Sequence, residues 1–439
     1  MDSARRAAYL ALRDVEENKA YSGFAVQSAI SKLSPERPAF VRELVYGTIR
    51  KQLYLDNLIG AFVKTPVGKL PVSDRVLLRM GLYQHSSLAS VPDYAAVSET
   101  VELAKRYARG REKFINGVLR EYIRDEGRAA LPSREDDEIK YLSLKYSFAP
   151  WIVEMWLNDF ESAERVEHLL EALNQKPRFC VRANTLKTSP GDLKARLEAL
   201  GFAATADEDL PDVFFLDGLD GLDGEKPLDS DLYNEGFFSV QDKASRIAAE
   251  CLGARPGEFV IDACAAPGGK AMAIAEAMKN SGRIVAIDIH EHKQELIERE
   301  AARLGVDIVE AVCHDSRENI AGFVGKADRA LVDAPCSGLG SARRKPEVKY
   351  KEFDSAMEGL PHTQLAILAA TAGYVKPGGV LVYSTCTIAK RENQDVADAF
   401  LDANRDFEMV DSIQILPMTG DTDGFFICKM KRKADGFGG

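Results

Sequence analysis

The sequence predicts a multidomain protein: an all-α bundle, then a small α+β subdomain, then a larger α/β domain. From Ala4 to about Asp125, apolar residues recur at the three- and four-residue spacing of helices. Residues 126–140 are polar, carry Pro132 and are typical of a linker. From about Gly236, short apolar strands alternate with helical stretches, a rhythm that indicates a doubly wound sheet covered on both faces.

Length and composition indicate an intracellular protein with more than one domain. The chain has 439 residues, 46% of them hydrophobic, which is enough for two or three cores. No apolar run reaches the ~18 residues of a membrane span, and the N-terminus lacks the apolar core of a signal peptide. The seven cysteines include no CxxC pair. We therefore expect a cytoplasmic protein with reduced thiols, no membrane association and no bound metal.

Charge is unevenly distributed along the chain. The formal net charge of −11 argues against a protein that coats nucleic acid non-specifically. Residues 1–125 nevertheless carry about 20 Lys and Arg against about 14 Asp and Glu. A basic N-terminal module on an acidic body could still place RNA locally.

The N-terminal helical domain is predicted over residues 1–130. Its apolar faces are clearest in residues 7–12, 40–47 and 76–83, and prolines interrupt the pattern between helices. We expect its arginines to mark exposed faces, namely Arg42, Arg50, Arg79, Arg111 and Arg120.

This domain resembles the NusB-like RNA-binding domain. The resemblance rests on residues 41–50, 77–84, 91–105 and 114–120, and it covers almost the whole segment. It implies a helical bundle that binds RNA.

A small α+β subdomain is predicted over residues 140–235. Helices resume at Tyr141, residues 179–184 have the pattern of a strand, and residues 190–200 that of a helix closed by Gly201. Residues 207–231 are acidic and rich in Gly and Asp, which favours loops and short strands.

The α/β domain is predicted over residues 236–433. Its strands alternate with helices in the order expected for a parallel sheet. The predicted strands are 259–263, 283–288, 308–312, 329–333, 379–384 and 424–430, and the predicted helices 270–278, 293–304, 363–375 and 393–404.

The first strand of this domain leads into a loop suited to a nucleoside ligand. Residues 262–270 (DACAAPGGK) are small enough for close approach of a ligand and end at a helix N-terminus. Asp288 ends the second strand, where an acid can bind ribose hydroxyls, and Asp315 follows the third, where a carboxylate can accept from an adenine amino group. With neither a Walker loop nor GxGxxG, the pattern favours an adenosine ligand without a pyrophosphate, such as S-adenosylmethionine, over a dinucleotide.

Two cysteines follow the fourth and fifth predicted strands. Asp333 and Cys336 follow the fourth strand, and Cys386 follows the fifth. Because these strands are neighbours in this type of fold, both thiols can face one pocket. A thiolate beside a methyl donor suits methylation of pyrimidine C5, since attack at C6 makes C5 nucleophilic. The residues alone do not decide which thiol attacks.

The chain resembles the RsmB/Sun-type RNA cytosine-C5 methyltransferases across nearly its full length. The motifs that carry the resemblance are residues 262–270, 333–338 and 384–386, the last followed by Glu392 and Asn393. The resemblance implies a Rossmann-like methyltransferase domain that uses S-adenosylmethionine. Together with the NusB-like N-terminus, this resemblance implies, within the family, the bacterial enzyme that acts on 16S rRNA.

The resemblance also implies roles for individual residues. Cys386 matches the nucleophile, Cys336 the cysteine that assists release of the methylated product, and Asp333 the acid that holds the cytosine N3/N4 edge. The residues matching the cofactor site are Cys264, Ala265, Ala266, Pro267, Gly268, Gly269, Lys270, Asp288 and Asp315, with Asp333 at its border.

RNA contacts are expected in two places. By the same resemblance, Arg182, Asn184 and Gln241 occupy RNA-contacting positions. Arg343 and Arg344 form a basic loop after Cys336, which suits contacts to phosphate. The expected partner is 16S rRNA, free or in early assembly, and the protein is expected to be a monomer.

One position departs from the family pattern. The family usually has two acids before the asparagine, whereas Arg391 precedes Glu392 here. The role of the helix contact at this position is therefore open.

Two other functions remain possible from the sequence. One is a cytosine-C5 methyltransferase acting on tRNA or on another rRNA site. The other is a non-catalytic ribosome-assembly or antitermination factor that kept the fold, although the presence of Cys386, Cys336 and Asp333 argues against it.

Overall fold

The N-terminal part of the chain forms the helices that its apolar spacing predicts. The computed structural model describes residues 2–160, 162–218 and 226–434. The helices are α1 Ser3–Asn18, α2 Ser22–Leu33, α3 Pro38–Arg50, α4 Gln52–Gly60, α5 Val72–Ser87, α6 Asp93–Tyr107, α7 Glu112–Arg124, α8 Glu138–Tyr146, α9 Pro150–Phe160 and α10 Ala163–Ala172.

These helices belong to one of two structural units. This helical unit comprises Met1–Gln175 together with Ala342–Glu352, a short segment that follows much later in the chain. In that segment Lys349 is fully buried, and its Nζ donates to the carbonyl oxygens of Arg50 and Tyr146 and to Asn174 Oδ1. The segment is thus an internal part of the helical unit. The predicted domain bounds 1–130, 140–235 and 236–433 remain predictions.

Helix α5 is the centre of the helical unit. Every residue from Val76 to Gln84 is buried. Helix α3 approaches it so closely that a Cβ on Gly47 would lie 1.9 Å from the Tyr83 hydroxyl, so only glycine fits there.

The prediction that Arg79 lies on an exposed face is wrong. The side chain is buried on α5, where Nε donates to Asp56 Oδ1 at 2.7 Å and Nη1 donates to Glu16 Oε2 at 2.5 Å. Paired carboxylates from α1 and α4 compensate for the burial of its charge.

The second unit, which we call the catalytic unit, begins with a small antiparallel sheet. Its strands are β1 Phe179–Ala183, β2 Ala203–Ala206, β3 Val213–Asp217 and β4 Phe238–Val240, in the order β2-β3-β1-β4. Helices α11 Pro190–Ala199 and α12 Asp231–Asn234 connect them. The acidic stretch predicted to hold loops and short strands contains β3, and residues 219–225 of that stretch lie outside the described residues.

A seven-stranded sheet forms the rest of the catalytic unit. Its order is β10-β11-β9-β8-β5-β6-β7; the β7-to-β9 side is parallel, and β10 and β11 add antiparallel strands. The strands are β5 Phe259–Ala263, β6 Arg283–Asp288, β7 Val309–Cys313, β8 Ala327–Asp333, β9 Val375–Thr385, β10 Phe407–Ile415 and β11 Phe425–Arg432. The helices are α13 Lys243–Leu252, α14 Gly269–Ala277, α15 Glu291–Leu304, α16 Ser355–Glu358, α17 Leu360–Ala372 and α18 Gln394–Ala403.

Helices cover both faces of this sheet, as predicted. One apolar core lies under α13, α14 and α15, and the other under α17 and α18. In the part of the chain that the structure describes, no helix combines the length and the apolar character needed to cross a bilayer.

Two boundaries differ from the sequence prediction. Helix α17 ends at Ala372, where Gly373 caps it, and β9 begins at Val375, so the predicted helix 363–375 ran too far. Strand β10 was not predicted. Most of its side chains are exposed on both faces, so the apolar alternation that signals a strand is missing.

Candidate active site

The candidate site lies at the carboxyl ends of β5, β8 and β9. Strand β8 pairs in parallel with both neighbours, and Asp333 at its end lies opposite Ser384 of β9. Cys336 follows β8 by three residues, and Cys386 follows β9 directly. The two strands that precede these cysteines are therefore neighbours, as the sequence predicted.

Lys270 and Asp333 form a partly buried ion pair in this site. Lys270 lies in the first turn of α14, and its Nζ lies 2.7 Å from Asp333 Oδ2. Ser384 Oγ donates to the other carboxylate oxygen at 3.0 Å. Burial opposes the charge of Lys270, but Asp333 and, more weakly, Cys386 outweigh it and raise the pKa of the amine. Lys270 therefore stays protonated in this site.

The two thiols are in contact. Cys336 Sγ and Cys386 Sγ are 3.3 Å apart, and both residues are partly buried. The residue after each cysteine supports this approach, because Ser337 Oγ and Thr387 Oγ1 hydrogen-bond at 2.7 Å. A thiol and a thiolate at this distance share one proton.

Charged groups surround the thiol pair. The hydrogen bond with Cys386 and burial raise the pKa of Cys336 well above its usual value. The negative charges of Glu392 and Asp333 act in the same direction. The Lys270–Asp333 ion pair lies in the same site, and either sulfur can be the donor in the bond between the thiols.

The loop between β5 and α14 forms the adjoining wall of the site. Gly268 has φ = 104°, a conformation that favours glycine, and it precedes the free N–H groups of the first turn of α14. Burial, followed by Asp333 and Asp288, raises the pKa of Cys264 to about 12, so this third thiol stays protonated.

Asp262 is a site residue that the sequence analysis did not single out. It is fully buried in β5, and neither carboxylate oxygen has a hydrogen-bond partner among the described residues. Burial and then the charge of Asp333 raise its pKa to about 8, with Lys270 opposing them. Its position within an acid-containing buried strand was the available signal, because an unpaired carboxyl is rarely buried without a functional reason.

The two acids predicted to hold the nucleoside differ in their surroundings. Asp288 is buried at the end of β6, where its Oδ1 accepts from the His290 amide and lies 3.4 Å from Lys293 Nζ. Asp315 lies nearer the surface beyond β7, and Arg317, bonded to it at 2.5 Å, lowers its pKa to about 2. The structure thus groups Asp288 with Asp262 and Asp333, while Asp315 pairs locally with Arg317.

Comparison with known families matches three stretches of the chain. Residues 249–431 match the family described as 16S rRNA methyltransferase RsmB/F, and residues 2–124 match the NusB family. Residues 148–219 match a ferredoxin-like domain of RsmF/B-like methyltransferases.

Curated relatives match over nearly the full length. The chain is 38% identical to a Bacillus subtilis protein named probable ribosomal RNA small subunit methyltransferase B, covering 98% of this chain and 99% of the relative. The chain belongs to the RsmB/F methyltransferase family. Ribosomal RNA small subunit methyltransferase B of Vibrio cholerae is 32% identical, with 98% of each chain covered.

Solved structures share the fold of this RsmB/F methyltransferase. The crystal structure of PH0851 has a TM-score of 0.83 at 25% identity and covers 98% of this chain and 99% of its own. A methyltransferase homolog protein from Pyrococcus horikoshii has a TM-score of 0.58 at 26% identity, covering 67% of this chain and 99% of its own.

Three residues expected to contact RNA in this RsmB/F methyltransferase are buried. Arg182 Nε donates to Gln241 Oε1 at 2.6 Å, and its guanidinium forms an ion pair with Glu276 of α14. Asn184 Nδ2 donates to the Gly236 and Leu304 carbonyl oxygens at 2.8 Å each. These bonds fasten the small sheet to α14 and α15, and an RNA contact by these residues remains a prediction.

The two expected phosphate contacts lie in a different unit. Arg343 and Arg344 belong to the Ala342–Glu352 segment of the helical unit. Arg343 is buried and Arg344 partly buried, whereas Lys345 beside them is exposed. Contact of these arginines with RNA remains a prediction.

Arg391, the departure from the family pattern, has a local structural role. Its Nη2 donates to the carbonyl oxygen of Glu358 at 2.8 Å, and its guanidinium lies 5.0 Å from the centre of the Phe353 ring. The residue therefore holds the end of α16, and the acid that follows it keeps the inward position.

Proposed function

We propose that this RsmB/F methyltransferase methylates C5 of a cytosine in 16S rRNA through a covalent bond between Cys386 and C6 of the base. The observation that supports this most is the pair of thiols 3.3 Å apart at the ends of the neighbouring strands β8 and β9, beside the Lys270–Asp333 ion pair. Methyl transfer to an oxygen or nitrogen would need no thiolate.

In the proposed reaction, the Cys386 thiolate forms a bond to C6 of the cytosine. Asp333 accepts from the N4 amino group, and N3 takes a proton from solvent, which lets the ring take up the electron pair; this proton returns to solvent when the product is released. C5 then gains the methyl group and must lose its proton. When that proton leaves, the electron pair returns to the C5–C6 bond and expels Cys386 as a thiolate.

Cys336 is placed to take the C5 proton because its ionisation depends on Cys386. Once Cys386 is bonded to carbon, it no longer accepts a hydrogen bond or carries a charge. The leading cause of the raised Cys336 pKa is then gone. After the adduct has formed, Cys336 loses its own proton to solvent, and the resulting thiolate takes the proton from C5.

S-adenosylmethionine fits the remaining residues of the site. When bound, it supplies an electrophilic methyl group. Asp288 and Asp262 offer buried carboxylates, and those of Asp262 have no partner among the described residues. The small residues 264–269 leave room for a nucleoside beside them. Asp315 would take part only after releasing Arg317.

The proposed substrate is small-subunit rRNA, free or early in assembly, with the protein acting as a cytoplasmic monomer. The names of the curated relatives support the RNA. A reducing compartment fits the structure, in which no disulfide links any of the seven cysteines, all of them described. The target base must leave its stack to reach Cys386, which favours a loop or bulge over a duplex.

Two cysteine variants test the proposal. Cys386→Ala should abolish methyl transfer to small-subunit rRNA, because the bond to C6 can then no longer form. Cys336→Ala should leave adduct formation intact and accumulate a protein–RNA complex that survives denaturing electrophoresis. Cys251→Ala, on α13, is a matched control and should behave as wild type. Full activity of Cys386→Ala, or modification of tRNA alone, would contradict the proposal.

A further inference from the structure

The loop that carries Cys336 is held from both sides by two buried polar side chains. Gln364 of α17 and Glu392, which ends a short turn after β9, are almost inaccessible to solvent, with exposed fractions of 0% and 2%. Gln364 has no part in the proposed mechanism, and Glu392 has entered it only through its charge near Cys336. Burying a carboxylate costs free energy unless hydrogen bonds replace those it made to water.

Their contacts are with the peptide groups that flank Cys336. Gln364 Nε2 donates to the Pro335 carbonyl oxygen at 2.9 Å, on one side of the cysteine. The Ser337 amide donates to Glu392 Oε2 at 2.8 Å, on the other side. Gln364 Nε2 also donates to the same Glu392 oxygen at 3.0 Å, so the two side chains act as one clamp.

Glu392 is itself fixed to the strand that precedes Cys386. The Tyr383 hydroxyl donates to the Glu392 carbonyl oxygen at 2.5 Å, and Tyr383 lies on β9 three residues before Cys386. The turn holding Glu392 begins only four residues after Cys386. The loop that carries Cys336 is thus fixed relative to β9, the strand that precedes the proposed nucleophile Cys386.

We propose that Glu392 and Gln364 are positioning residues for Cys336, holding its thiol where it removes the C5 proton during product release. This inference rests on the proposed function and adds two residues to it. Neither residue touches the base. They act by fixing Pro335 and Ser337, so that Cys336 keeps its position after Cys386 has formed its bond to C6. Product release should depend on the clamp more than adduct formation does.

The test compares Glu392→Ala with Glu392→Gln. Alanine removes the bond from the Ser337 amide to Glu392 and one of the two bonds donated by Gln364 Nε2, whereas the glutamine oxygen can replace the carboxylate oxygen in both. Single-turnover methyl transfer and the decay of the denaturation-resistant RNA adduct are measured separately. For Glu392→Ala we expect transfer close to wild type and adduct decay about 10²-fold slower, the size of effect that a 1 Å misplacement produces.

The conservative variant should restore release. Glu392→Gln should decay within a few-fold of wild type, while its lower charge moves the pH dependence of Cys336 alkylation to lower pH. The matched control is Asp395→Asn, three residues further along and 55% exposed, which should change neither step. Because a misfolded protein would form less adduct, an increase in adduct separates positioning from a general loss of structure.

Gln364→Met provides a second variant if Glu392→Ala does not fold. It removes the bond to the Pro335 carbonyl oxygen but keeps the bond between Glu392 and the Ser337 amide. Adduct decay should therefore slow less than in Glu392→Ala, by about tenfold relative to wild type. The inference is overturned if both Glu392→Ala and Gln364→Met release product at the wild-type rate while Cys336→Ala traps the adduct. If Cys336→Ala traps no adduct, the proposed function itself fails.

Discussion

Cys336 Sγ lies 3.3 Å from Cys386 Sγ, within hydrogen-bonding distance. A disulfide requires about 2.05 Å. Treatment with hydrogen peroxide should therefore oxidise the pair to a disulfide, with two protons and two electrons passing to peroxide to give water. We expect loss of methyl transfer together with a mass decrease of about 2 Da, both reversed by a thiol reductant. Irreversible sulfinic acid on Cys386, with Cys336 unchanged, would contradict this.

Lys270 should control the reactivity of Cys386. Removing its positive charge in Lys270→Gln takes away a cation of the site, so iodoacetamide labelling of Cys386 should require higher pH. The pH dependence of iodoacetamide labelling at Cys386, followed by mass spectrometry, measures the shift. Lys270→Arg keeps the charge and should leave the profile near that of wild type. Equal profiles for the glutamine and arginine variants would exclude an electrostatic role.

Asp262→Asn should have opposite effects on stability and on cofactor affinity. The folded protein raises the pKa of Asp262 to about 8 through burial and the charge of Asp333, above the value of about 3.9 in an unfolded chain. The folded state therefore holds an extra proton between about pH 4 and pH 8, and stability falls as pH rises through that window.

Asparagine has no proton to hold at this position. At pH 8 the ligand-free variant should be more stable than wild type by roughly 3–5 kcal/mol, measured by urea unfolding. Calorimetry should show S-adenosylmethionine binding at least about tenfold weaker, because a buried acceptor is lost. A variant that is both less stable and equally able to bind the cofactor would refute this role for Asp262.

His85 should give the helical unit a pH-dependent contribution. Its Nδ1 lies 2.7 Å from Asp93 and its Nε2 lies 2.8 Å from Glu126. Burial opposes the imidazolium, but the bonds with these two acids outweigh burial and raise the pKa of His85 above its usual value. The stabilisation is thus complete below about pH 6.5 and is lost as pH rises through the raised folded-state pKa.

His85→Gln should lack this pH dependence. Because both acids are more than half exposed, the difference from wild type should stay below about 1 kcal/mol, measured by urea unfolding at pH 6 and pH 9. The difference should shrink toward pH 9. A larger difference at pH 9 than at pH 6 would mean that the histidine acts while neutral.

The parts of the fold that follow from local pattern were predicted from the sequence. Apolar spacing predicted the parallel strands. The expected neighbouring order of the fourth and fifth of these strands predicted that Cys336 and Cys386 lie together, and the pairing of β8 with β9 agrees with that order. Strand β10 escaped because edge strands exposed on both faces lack apolar alternation.

Features that depend on distant partners could not be predicted in this way. Arg79 has the sequence context of a surface arginine, and its burial follows from Glu16, 63 residues earlier in the chain. The charged surroundings of the two thiols depend on Lys270 and Glu392, which come to the site from separate elements. Only the packed structure brings these charges within reach of one another.

The Ala342–Glu352 segment has a consequence for how the protein can be made. Its eleven residues complete the helical unit, yet they follow most of the catalytic unit in the chain. A fragment ending at Gln175 would leave the acceptors of Lys349 unpaired and should be poorly folded. During synthesis, the helical unit must wait for residue 352 to leave the ribosome before it can finish folding, so neither unit matures as an independent module.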